Sequence, residues 1–221
     1  MRDVLLWLLW LLLGAVIVAA FHPATLPAQG FIGETGRILY FHVPAAWASF
    51  VAFVAAGTWS LRYLFGGRRE RHDRAAAAAV ELGLVFCVLA TLSGAIWARV
   101  QWGAFWNWDP RQISITIALL FYGAYLALRG AVEDAETRAR LAAAFAALGL
   151  FVAPFLFFVL PRVAAFSLHP QPLINAGGRI EMERPMVAVL LAGAVGFTGL
   201  FFWLHGLRCR IAALQAAGAG R

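Results

Sequence analysis

The chain has 221 residues, 62% hydrophobic and 13% charged, with a net charge of +7 carried by arginine alone. Soluble domains average nearer half apolar and a quarter charged, and here the apolar residues come in runs close to the ~20 that cross ~30 Å of hydrocarbon. This composition argues against a soluble enzyme or a nucleic-acid-binding protein: the fold class is an all-α membrane protein whose arginines set topology and meet anionic lipid headgroups.

The apolar runs predict six transmembrane helices in one polytopic membrane domain over 1–221, at about 4–21, 38–65, 75–98, 113–128, 141–160 and 186–204. The first run follows Met1-Arg2 and exceeds the usual core of a signal peptide, so it reads as a retained anchor. The second opens on Arg37-Ile-Leu-Tyr40-Phe-His42-Val-Pro44, and the proline places a helix start or bend beside the histidine. The third carries Glu81 near one end, as either a buried hydrogen-bonding residue or a partner contact, and Cys87 at mid-depth. The fourth is short and is expected to borrow length from the loop before it. Pro154 is expected to bend the fifth. Cys209 lies beyond the last run, at a different depth from Cys87, so the two do not pair. The sequence has neither C-x-x-C nor C-x-x-C-H, which argues against a thiol redox pair and against c-type attachment of haem to this chain.

Twelve of the 18 arginines fall between runs on one side, and six (Arg37, Arg99, Arg111, Arg162, Arg179 and Arg184) fall on the other. Cytoplasmic loops hold the excess. Both termini are therefore expected in the cytoplasm, with loops 22–37, 99–112 and 161–185 facing outward. His72 and His205 then lie at the inner face, and His22, His42 and His169 at the outer.

The outward loop 99–112 reads Trp102-Gly-Ala-Phe-Trp106-Asn-Trp108-Asp109-Pro-Arg111, and Trp97 precedes it. An interfacial aromatic belt accounts for one or two tryptophans per helix end, not for a cluster bracketed by Gly103, Asp109 and Arg111. A platform for a flat, largely apolar ligand fits better. His42 in its apolar run needs a partner or a metal; a hydrogen bond to a backbone carbonyl would satisfy it as well as ligation. At +3, +4 and +7 stand Ala45, Ala46 and Ser49, a small-residue shelf beside the imidazole. A loop histidine such as His169 is usually just solvated, but topology places it on the same face as His42 and the tryptophans. Two neutral imidazoles and an apolar wall are what six-coordinate haem iron uses. Arg37 and Arg111 are the arginines nearest in sequence to meet propionates.

Trp102-Gly103-x-x-Trp106-x-Trp108-Asp109-x-Arg111 resembles the tryptophan-rich signature of the haem-handling proteins of cytochrome c biogenesis. More narrowly, Arg37-x-x-Tyr40-x-His42-Val-Pro44-Ala-Ala, the six spans and the outward histidine before the last span resemble the haem exporter protein C (CcmC) family over nearly the whole chain. The resemblance implies that His42 and His169 are axial ligands of a transiently, non-covalently bound haem b, and that Trp102, Trp106 and Trp108 wall its ring. It implies partners: a periplasmic haem chaperone (CcmE-like), ABC transporter subunits (CcmA- and CcmB-like) and a small single-span subunit (CcmD-like). It also implies a bacterial inner-membrane location with the haem site facing the periplasm. Phe105 departs from the pattern, where a further tryptophan is often found.

The expected function is therefore non-enzymatic. The chain binds haem at the periplasmic face through His42 and His169, with Arg37 and Arg111 neutralising propionates and Asp109 ordering the loop or an adjacent arginine, and delivers it to the chaperone. Two rival readings are a synthetase that attaches haem to apocytochrome thiols and a b-type cytochrome subunit. The first calls for a further histidine pair, and the second for histidines deep within spans.

Overall fold

A computed structural model describes residues 2–26, 31–67, 69–164, 166–170 and 182–219. Arg68, Arg179 and Arg221, used above for orientation, lie outside them. The chain is helical throughout, without a strand among the described residues: α1 (Arg2–Ala20), α2 (Leu39–Phe65), α3 (Glu70–Trp102), α4 (Pro110–Ala131), α5 (Ala135–Pro154), α6 (Leu160–Val163) and α7 (Arg184–Ala219). A π-helical turn, Phe155–Val159, joins α5 to α6, so six helical rods are long and apolar enough to cross a membrane.

Helix α2 is central, packed against α3, α5 and α7, while α1 lies at the edge against α7. Water-driven burial cannot hold helices together inside lipid, so close backbone approach through small residues does. The core shows it: Ala48, Ala52, Ala56, Ala79, Ala142 and Ala146 are buried between Phe53, Tyr122, Tyr125 and Phe201. Phe53 stacks on Tyr122 with ring centroids 3.5 Å apart. A Cβ at Gly83 would come within 2.6 Å of the Phe53 ring, so α2 and α3 can approach only over a glycine there.

Pro154 has no N–H to donate, and the ladder after it widens: Leu160 N–H reaches back five residues to the Phe155 carbonyl. Helix α4 runs from Pro110 to Ala131, so it gains three residues from the tryptophan loop, as expected, and three more at its other end.

The two ends of the bundle differ. At the arginine-rich end, Arg129 forms a two-pronged pair with Asp73 at 2.6 and 2.9 Å, and Arg208 pairs with Glu81 at 2.7 Å. Glu81 thus meets a charge on α7 within its own chain. The tryptophan-rich end carries the start of α2, the end of α3, the start of α4 and segment 166–170.

Candidate functional site

His42 lies in the first turn of α2, with its ring over α3. Nδ1 is 3.1 Å from Ser93 Oγ. The Ser93 hydroxyl donates its single hydrogen backward, to Leu89 O at 2.7 Å with Ala90 O at 3.2 Å. Its oxygen therefore faces His42 as an acceptor, which favours the imidazole tautomer protonated on Nδ1.

Helix α3 ends where Gly103 takes a left-handed conformation (φ 79°), with its N–H on Arg99 O. Seven residues on, Pro110 occupies the first position of α4, where a missing N–H costs nothing. Asp109 caps that helix by accepting from Arg111 N at 2.9 Å. Gln112 closes the capping box and ties the loop: its Oε1 accepts from Asn107 N at 2.8 Å and Asp109 N at 3.3 Å, and its Nε2 donates to Phe105 O at 3.4 Å.

Asp109 also reaches across to the segment before the last span. Its Oδ2 accepts from Ser167 Oγ at 2.9 Å and Leu168 N at 2.7 Å, and His169 Nδ1 stands 2.7 Å from Oδ1, off the ideal hydrogen-bond line. Burial raises the carboxyl's pKa, but the amides of Arg111 and Leu168 and the Ser167 hydroxyl, helped by His169 when that ring is protonated, outweigh it, and Asp109 stays below its ordinary value. Burial, with Arg111 and His42 adding to it, depresses His169 to about 4 against the pull of Asp109. His169 is therefore a neutral imidazole at neutral pH, with Nδ1 turned to a carboxylate.

Around His169, Trp102 lies edge-on at 4.9 Å and Trp97 at 6.1 Å, and these two pair with each other at 4.8 Å. Trp106 and Trp108 form a second edge-on pair at 6.1 Å. The three tryptophans expected to form one wall are thus split: Trp102 backs His169 together with Trp97, while Trp106 pairs with an exposed Trp108. Trp108 is the one non-glycine residue with positive φ (55°) among the described residues. Phe105 is exposed, with Arg99 over its ring.

The structure separates the two arginines. Arg37 is buried and engaged: its Nε and Nη2 donate to Glu34 at 2.9 and 3.3 Å, and its Nη1 donates to Ala20 O at 2.7 Å and His22 O at 3.3 Å. With Tyr40, whose hydroxyl donates to Thr25 O at 2.6 Å, it clasps the end of α1 to the start of α2. The expected propionate role does not suit that geometry. His22 likewise caps a short turn, its Nδ1 accepting from Ala24 N. Arg111 is different, because its Nε is buried without a partner among the described residues, as is Trp97 Nε1. Unmet buried donors are costly, and here they stand beside two neutral imidazoles with no protein partner at Nε2 among the described residues. The donor set fits a metal-bearing ligand with acidic groups.

Sequence reasoning sought the neighbours of His42 on its own helix. Ala45 and Ser49 are instead buried in helix packing, and the ring's neighbours are Ser93 and Gly94. The one sequence signal was a Ser-Gly pair inside an apolar run. Ser167 and Gln112 were equally unmarked.

The family model for Heme exporter protein C matches residues 1–219. A Heme exporter protein C of Bradyrhizobium diazoefficiens is 34% identical, with 96% of this chain and 83% of the relative covered. The Heme exporter protein C of Paracoccus denitrificans is 38% identical over 72% of this chain and 68% of its own length, and that of Rhodobacter capsulatus is 33% identical over 83% and 75%. A match along almost the whole length, on a chain of six membrane-crossing helices, places this multi-pass protein in the heme exporter protein C family.

Proposed function

We propose that this protein is a haem-handling membrane subunit that holds haem between His42 and His169 at its tryptophan-rich end and hands it on for cytochrome c maturation. The observation carrying the reading is that each imidazole turns Nδ1 to the protein, His42 to the Ser93 hydroxyl and His169 to the Asp109 carboxylate. Ligating histidines are held in this way, with the second nitrogen on a carboxylate, hydroxyl or carbonyl. Haem is the cargo; the iron supplies two axial positions and the propionates supply negative charge. Arg111 and Trp97 provide the unmet donors for the acidic edge, and Trp102 flanks the His169 side. Arg37 shapes the site from behind by fixing the start of α2.

The arginine excess at the opposite end supports a periplasm-facing site in a bacterial inner membrane. The receiver is a periplasmic haem chaperone, and the assembly includes ABC transporter subunits and a small single-span subunit. In this reading the chain transfers haem and forms no bond to it. Ligands carried at a helix start and on a loop suit release better than a pair deep within spans.

Absorption and electron paramagnetic resonance spectra of the haem-loaded protein test the reading. A six-coordinate bis-imidazole signature should become five-coordinate in His42→Ala and in His169→Ala. Bound haem whose spectrum ignores both substitutions would move the ligands elsewhere.

A further inference from the structure

Resting on that reading, we infer that Ser93 and Gly94 of α3 are positioning residues that give His42 its working geometry. Ser93 fixes the tautomer, and Gly94 provides the clearance for the ring. A Cβ built on Gly94 would lie 2.7 Å from His42 Cε1, 3.3 Å from Nδ1 and 3.6 Å from Nε2. The imidazole therefore rests against the backbone of α3 at a place where only glycine leaves room. Contacts to all three of those atoms mean that the plane of the ring, and not its tip alone, depends on the missing methyl.

The tautomer follows from the hydrogen positions. Ser93 Oγ has one hydrogen and gives it to the Leu89 and Ala90 carbonyls, so it can only accept from His42 Nδ1 at 3.1 Å. A proton held on Nδ1 leaves the Nε2 lone pair for a metal. The same helix reaches the second histidine: Trp97, one turn beyond Gly94 (about 4.5 Å along the axis), packs on His169. One face of α3 thus sets His42 directly and backs His169. It works with the small residues of one helix and the rings of the next turn.

Gly94→Ala separates positioning from folding, because alanine favours a helix over glycine. The variant should keep or raise its melting temperature. Its haem complex should lose the wild-type low-spin signal in favour of a five-coordinate or distorted species. Ser93→Ala should shift the low-spin g-values and weaken haem retention about tenfold, and Ser93→Thr, which keeps the hydroxyl, should restore both. In the haem-free protein, imidazole ¹⁵N shifts should report His42 protonated on Nδ1, and Ser93→Ala should increase the Nε2-protonated fraction. His42→Ala serves as the reference. If it leaves the haem spectrum untouched, the ligand assignment itself fails. If it abolishes six-coordination while Gly94→Ala and Ser93→Ala keep wild-type spectra and wild-type ¹⁵N shifts, the ligand stands and the positioning role is overturned.

Discussion

At the arginine-rich end of the bundle, His72 and His205 lie against Trp59, with ring centroids 5.7 and 6.5 Å away, beside a cavity of about 640 Å³ that Arg62 and Arg71 also line. That end has histidines, a tryptophan and arginines, the same residue types as the tryptophan-rich end. The difference is which nitrogen is spent. His205 Nε2 faces the Ala75 carbonyl at 2.9 Å, and His72 Nε2 accepts from Arg71 Nε at 3.3 Å. At the other end, His42 and His169 turn Nδ1 to the protein, and Nε2 is left over. Residue type alone does not distinguish a ligand from a packed imidazole; which nitrogen faces the protein differs between the two ends. The charges divide in the same way, since Arg129 and Arg208 are paired to carboxylates across helices, whereas Arg111 Nε has no partner among the described residues.

The contrast can be broken most sharply at Asp109. Asp109→Asn keeps an oxygen to cap α4 but loses the anion that faces His169 and Leu168. Haem affinity should fall about 10- to 100-fold, read by titrating haem into the detergent-solubilised protein; unchanged affinity would reduce Asp109 to a helix cap. At the opposite end, Arg129→Met leaves Asp73 half-buried without its partner. It should cost about 3 kcal/mol of stability, seen as a lowered melting temperature, with the six-coordinate spectrum retained at low temperature. A smaller change, of opposite sign, is expected at Trp108. Replacing it by glycine removes a side chain held at positive φ and should stabilise the fold by about 1 kcal/mol, measured by thermal unfolding. The smallest effect sharpens the contrast: His72→Phe with His205→Phe should leave haem stoichiometry and spectrum as in the wild type. Lost haem in that double variant would mean that the two ends are not as distinct as their hydrogen bonds indicate.

The fold was readable because spanning a membrane requires long apolar runs, and those mark six helices without ambiguity. The helix ends were harder. Helix α3 runs on to Trp102 and α7 to Ala219, because arginine, tryptophan and alanine continue a helix past the apolar run that announces it. The start of α4 was present in the sequence as Asp109-Pro110, a cap followed by the residue best suited to the first helical position. In the site, the histidines and the tryptophan loop stood out as residue types expensive or unusual in their setting. The clasp that Arg37 makes was not legible because two of its acceptors are backbone carbonyls 15 and 17 residues earlier, and carbonyls have no sequence signature. Ser93 and Gly94 went unmarked because small residues in a membrane helix ordinarily mean packing. Only the ring laid across them reveals another use.

Asp109 divides its two oxygens between neighbours of different standing. Oδ1 takes the Arg111 amide and also faces His169 Nδ1 at 2.7 Å, while Oδ2 holds Ser167 and Leu168. The segment bearing His169 is therefore tied to the same carboxylate that caps α4. Two hydrogen bonds to a charged group are worth about 3–6 kcal/mol, so the carboxylate that starts one helix also holds the segment that carries the second imidazole.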